Sequence, residues 1–130
     1  MKKYEKTKWH NKDFFKSFKF ATSGIFYTLS TQRNLKIQTI FAIIAIVLGL
    51  LLKISLVEWG MLVFAIMFVL FAEMINTAIE STVDLFTEEF NEKAKIAKDV
   101  AAGAVLIASL NSIIIGALIF LEKILKYIII

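Results

Sequence analysis

Residues 56–86 read LVEWGMLVFAIMFVLFAEMINTAIESTVDLF, and this stretch decides the fold. From Trp59 to Ala72 it is apolar without interruption, long enough together with its flanks to cross a bilayer as a helix. Trp59 stands where an interfacial aromatic anchor is expected. Beyond Ala72 the helical pattern continues to about Phe86, but polar residues enter it. The stretch therefore predicts a membrane span whose second end carries chemistry.

Working outward, two further apolar runs flank it. One covers about residues 37–53 and the other about residues 99–121, so three transmembrane helices are expected, with the second over about 57–86. Ahead of them, residues 9–30 read WHNKDFFKSFKFATSGIFYTLS. On a helical wheel Lys12, Lys16 and Lys19 share one face, while Phe14, Phe18, Ala21, Ile25 and Leu29 fall opposite. This predicts a basic amphipathic helix over about residues 10–30, lying at the membrane surface with its lysines among anionic headgroups. A polar hinge, Thr31 to Lys36, leads into the first span, and a loop of mixed charge is expected from Thr87 to Lys98. The fold class is thus an all-α membrane protein of one domain over residues 1–130.

Composition agrees. Hydrophobic residues make up 58% of the 130 residues and the mean hydropathy is +0.74. Proline and cysteine are absent, and histidine occurs once, at His10. Disulfides, thiolate nucleophiles, cysteine metal sites and histidine-based triads are excluded. Charge is distributed unevenly: nine of the fifteen basic residues lie between Lys2 and Lys36. The N-terminal segment and the 87–98 loop hold twelve basic residues, against Lys53, Lys123 and Lys126 on the other side. The positive-inside rule therefore predicts a cytoplasmic N-terminus and an outer C-terminus.

In the third span Ala104, Ala108, Ser112 and Gly116 recur every four residues, a small-residue stripe that permits close helix approach. It serves either a subunit interface or a neighbouring helix of the same chain. The size of the chain favours an oligomer.

The chemistry sits in FAEMINTAIESTVDLF, residues 71–86. Glu73, Asn76, Glu80 and Asp84 are three, four and four residues apart, so they form one stripe along a helix. A carboxylate one or two turns inside an apolar run costs ~3 kcal/mol on insertion scales, and several on one face repel unless compensated. A divalent cation, a basic partner or protonation each compensates. The Lys98-Asp99 pair returns a cation and another carboxylate to the same end. Carboxylates suited to Mg²⁺ and ammonium groups suited to phosphate oxygens then converge. No Walker A or kinase glycine loop is present. An ion or proton channel is the alternative reading of such a stripe, yet Leu62 to Leu70 supplies no polar lining for the rest of a pore.

The run from Glu73 to Asp84, followed by Ala97-Lys98-Asp99 and AAGAVLIA, closely resembles the bacterial DgkA-type membrane lipid kinases. These include the integral-membrane diacylglycerol kinases and the undecaprenol kinases, and the resemblance extends over nearly the whole chain. It implies a homotrimer in the bacterial cytoplasmic membrane, with active sites shared between protomers on the cytoplasmic side. It implies transfer of the γ-phosphoryl group of Mg-ATP to the hydroxyl of a membrane lipid alcohol, with no nucleic-acid partner. Residue by residue, Glu73 resembles the catalytic base and Glu80 a ligand of Mg²⁺ and the nucleotide. Asn76 and Asp84 resemble supporting neighbours. Lys98 and Asp99 resemble nucleotide contacts, beside Glu89, Phe90 and Asn91 of the loop. Two positions depart from the pattern. Gln32 stands where many relatives have a metal-binding glutamate, and Glu89-Phe90-Asn91 stands where relatives often have a Tyr-His pair. The segments RNLKIQ and AKDVAAGAVLIAS are similar to the Gram-positive branch, which favours undecaprenol over diacylglycerol.

Overall fold

The structure, a computed structural model, describes residues 14–129. Lys12 and the beginning of the expected surface helix lie outside the described residues. The described residues form four α-helices: α1 (Phe14–Thr31), α2 (Arg33–Leu51), α3 (Leu56–Phe86) and α4 (Glu92–Ile129). By length and composition α2, α3 and α4 are each able to cross a membrane. At 1.5 Å per residue, α3 and α4 are about 46 Å and 57 Å long, well beyond a hydrocarbon layer of about 30 Å. Both must therefore project past it.

Single residues break the chain into these elements. Gln32 alone is extended between α1 and α2 (φ −90°, ψ 113°). The α2–α3 turn closes with Ile54 N–H on Gly49 O and Lys53 N–H on Leu50 O, and Lys53 takes a left-handed φ of 50°. These two bonds satisfy carbonyls that a helix end otherwise leaves open. Ser55 then starts α3 with a reciprocal capping box, its hydroxyl accepting from Glu58 N–H while Glu58 accepts from Ser55 N–H. Asn91 starts α4 the same way on one side, its Oδ1 accepting from Ala94 N–H. Helix α4 begins at Glu92, so the charged segment 92–98 is helical rather than part of a long loop.

Burial along the helices follows steps of three and four. On α2 a covered or half-covered row runs through Leu35, Gln38, Ala42, Ala45 and Gly49 to the C-cap Leu52. On α3 such a row includes Leu62, Ala65, Val69, Ala72 and Asn76; on α4, Ala101, Val105, Ala108, Ser112, Ile115 and Ile119. Such spacing keeps one seam of each helix toward its neighbours. The main tertiary contact is α3 against α4, while α1 and α2 touch the rest more sparingly.

The seams divide into layers. Near the α2–α3 turn, Ile54, Leu62, Ile119 and Phe120 form an apolar core with Trp59, Leu48 and Ile115 around it. Val69, Ala72 and Ala108 continue it. Ala108, fully buried here, is consumed by contact with α3 of the same chain, whereas Ala104 is exposed and a Cβ at Gly116 would meet open space. The small-residue stripe thus serves the intrachain contact at its middle only, because a four-residue step drifts around a 3.6-residue helix. Past Ala72 the same seam turns polar.

Candidate functional site

The polar layer begins at Glu73, 2% exposed, and continues through the buried Asn76 and Thr77 to the half-buried Glu80. These residues occupy the seam of α3 because they continue the register of Leu62, Val69 and Ala72. Thr77 meets its own need locally, donating to Glu73 O at 2.9 Å. The Glu73 carboxylate is served from another helix: Gln38 Nε2 of α2 donates to Glu73 Oε1 at 3.0 Å. One turn on, Asn76 Nδ2 donates to Glu80 Oε1 at 3.1 Å.

Two fully buried acceptors in this layer find no donor among the described residues. Gln38 Oε1 and Asn76 Oδ1 are both buried and unpartnered. A buried polar atom left without a hydrogen bond costs roughly 1–3 kcal/mol, and a buried carboxylate without a cation costs more. A layer with one well-covered carboxylate, a second beside it and two orphaned oxygens is poorly compensated by the described residues. It calls for a donor or cation from outside.

At the loop end the charges pair across helices. Lys98 Nζ of α4 donates to Asp84 Oδ1 of α3 at 2.6 Å. Asp99 pairs instead with Lys95, one turn back on α4, and is exposed. The two neighbours point apart because successive helical residues are about 100° apart. In the five-residue connection 87–91, Thr87 Oγ1 accepts from Glu89 N–H, Phe90 is exposed and Asn91 caps α4. Gln32 sits half-buried at the head of α2, with no capping bond from its side chain.

Comparison with known proteins bears on this arrangement directly. A family profile described as prokaryotic diacylglycerol kinase matches residues 19–120. The chain belongs to this prokaryotic lipid kinase family. Among its relatives is the undecaprenol kinase of Bacillus subtilis, 46% identical over 111 residues that cover 85% of this chain and 89% of the relative. The diacylglycerol kinase of Synechocystis is 39% identical over 111 residues, 85% of this chain and 63% of the relative. The diacylglycerol kinase of Escherichia coli is 31% identical over 77 residues, 59% of this chain and 63% of the relative. The matched region of the family contains Gln32, the whole α3 stripe and Lys98-Asp99.

Kinases of this kind act on an alcohol and use a nucleotide, commonly with a divalent metal. The oxygens present suit a hard cation such as Mg²⁺: the Glu80 carboxylate and the orphaned Asn76 Oδ1 lie on adjacent turns. Among the described residues, no group of three or more acidic or histidine side chains gathers to hold a metal by itself. Mg²⁺ commonly keeps several waters and takes one or two carboxylates plus substrate phosphates, so a sparse protein donor set is compatible with it.

The residue that sequence reasoning missed is Gln38. A lone amide within IQTIFAII carries no marker of which helix it faces, and its partner lies 35 positions away.

Proposed function

We propose that the protein is an ATP-dependent lipid kinase that phosphorylates the hydroxyl of a membrane lipid alcohol, undecaprenol in preference to diacylglycerol. The observation that carries the reading is the carboxylate of Glu73, 2% exposed, held by one amide at the point where the apolar seam of α3 turns polar. Glu73 lies 17 residues beyond Leu56 (73 − 56 = 17), about 26 Å along the helix. For a hydrocarbon layer of about 30 Å entered near Leu56, that is the depth of the opposite headgroup boundary. A lipid hydroxyl reaches it without leaving the bilayer.

In this reading Glu73 accepts the proton of the acceptor hydroxyl as its oxygen attacks the γ-phosphorus. Glu80, Asn76 Oδ1 and Gln32 would hold the magnesium ion of Mg-ATP. When bound, the ion neutralises phosphate charge, which together with positioning is most of what phosphoryl transfer requires. Lys98, steadied by Asp84, offers its ammonium to phosphate oxygens, and Asp99 and the Glu89-Phe90-Asn91 connection border the nucleotide. The basic N-terminal side supports a cytoplasmic position for this end of the bundle, where ATP is available. Helix α1, with Phe14, Phe15, Phe18 and Phe26 exposed, rests in the interface as an amphipathic helix. A homotrimer in the cytoplasmic membrane completes the site, since the donors that the described residues of one chain bring to it are few. Similarity to an undecaprenol kinase along almost its full length supports the substrate preference. The buried seam from Leu62 to Val69 is apolar, which argues against a channel.

The test is transfer of labelled phosphate from ATP to undecaprenol and to diacylglycerol, side by side in mixed micelles. Undecaprenol is expected to have the higher kcat/KM, and Glu73→Gln should lose on the order of 10²- to 10⁴-fold in kcat. Absence of label in both lipids, with Glu73→Gln indistinguishable from the parent, would overturn the proposal.

A further inference from the structure

The amide of Gln38 bears on the kinase reading, because among the described residues it is the one hydrogen-bond donor to the Glu73 carboxylate. It reaches that carboxylate from a different helix. Gln38 occupies a seam position of α2 between Leu35 and Ala42, in a row that is otherwise apolar through Ala45, Leu48, Gly49 and Leu52. An apolar side chain there would pack without leaving an orphaned oxygen, and Gln38 Oε1 is such an orphan. Attachment of α2 to α3 does not depend on this bond alone, since Gly49 and Ile54 close the turn against Trp59 at the other end. The remaining property of the bond is directional. It engages Oε1 of Glu73, while Oε2 has no donor among the described residues.

We infer that Gln38 is a positioning residue for Glu73, fixing the carboxylate through Oε1 so that Oε2 faces the acceptor hydroxyl. The inference rests on Glu73 being the base. In the transfer, the lipid O–H bond breaks and its proton passes to Oε2. The O–P bond forms, the bond from the γ-phosphorus to its bridging oxygen breaks, and ADP leaves. Throughout, Gln38 Nε2–H stays on Oε1, which accepts from it whether the group is carboxylate or carboxylic acid. The carboxylate can then reset without rotating. Because Gln32 heads the same helix six residues earlier (38 − 32 = 6), the rigid body of α2 ties the head of the hinge to the orientation of the base.

The experiment compares full-length parent enzyme with Gln38→Met, Gln38→His, Glu73→Gln and the Gln38→Met/Glu73→Gln double variant in mixed micelles. Methionine keeps the length and volume without an N–H, and histidine keeps a donor. Gln38→Met should lower kcat on the order of 10- to 100-fold, the scale of a small misplacement of a reacting group, with the KM for ATP unchanged. Gln38→His should recover most of the loss, and the double variant should fall no further than Glu73→Gln. Should Gln38→Met fail to fold, Gln38→Asn, whose amide stops one methylene short, carries the same expectation. Parent-like kcat in Gln38→Met alongside an inactive Glu73→Gln overturns the inference, and so do losses that multiply in the double variant. Parent-like turnover by Glu73→Gln is a different result: it removes the base itself, and this inference with it.

Discussion

A β-carbon placed on Gly49 would stand 2.9 Å from the Trp59 ring and 3.0 Å from Ile54 Cδ1. The isoleucine tip is able to swing aside, but the indole ring is rigid and wedged in the core of the α2–α3 turn. Gly49→Ala should therefore destabilise the protein by about 1–3 kcal/mol, the range for overpacking a filled site. The thermal midpoint in detergent is the measurement, and a midpoint at or above the parent's would refute the contact. Glycine is demanded here by proximity, whereas at Lys53 the backbone is left-handed and the residue is a lysine. The same scale contains the site's main surprise. Glu73, Asn76 and Glu80 are legible from spacing, yet their partners are not: Asn76 serves Glu80 locally, while Glu73 depends on Gln38 from another helix.

Helix α3 is anchored at its apolar end by the Ser55–Glu58 capping box, and Glu58 also accepts from Lys123 of α4. One glutamate thereby closes a helix start and ties it to the neighbouring helix. Ser55→Ala removes the hydroxyl that accepts Glu58 N–H and should cost about 1 kcal/mol. The thermal midpoint should fall while kcat stays at the parent level, because the cap lies at the opposite end from Glu73. A loss of kcat at temperatures where the variant is fully folded would show the two ends to be linked. At the other end, α4 gains a start that sequence alone conceals. EKAKIAK is polar enough to read as loop, but Asn91 caps it and Lys95 pairs with Asp99 one turn on, so it extends the helix. Lys98 is presented toward Asp84 only because that extension exists.

For the whole molecule, the division into an apolar core at one end and a polar layer at the other matches a helix bundle longer than the hydrocarbon layer. In the proposed function, a lipid substrate and a water-soluble co-substrate meet where the two layers join. Gln32 tests the metal side of the proposed site. A glutamine oxygen ligates Mg²⁺ without adding negative charge, so Gln32→Glu should lower the Mg²⁺ concentration that gives half-maximal rate. An unchanged Mg²⁺ curve would remove Gln32 from the site. Large apolar side chains along the outer face of α3, among them Phe64, Met67, Phe71 and Ile75, remain uncovered in the single chain, as lipid or a second copy requires.

The sequence by itself determined the three helices long and apolar enough to span a membrane, since uninterrupted apolar length is a property of composition along a line. It also determined the carboxylate stripe, because steps of three and four on one helix need no other helix to align them. Family membership followed from the same run. The tertiary structure alone decided which side chains face each other across helices: Gln38 on Glu73, Lys98 on Asp84, and Ala108 against Val69 and Ala72. Periodicity gives the angle of a residue around its own axis, whereas register and rotation between helices arise only when the seams pack.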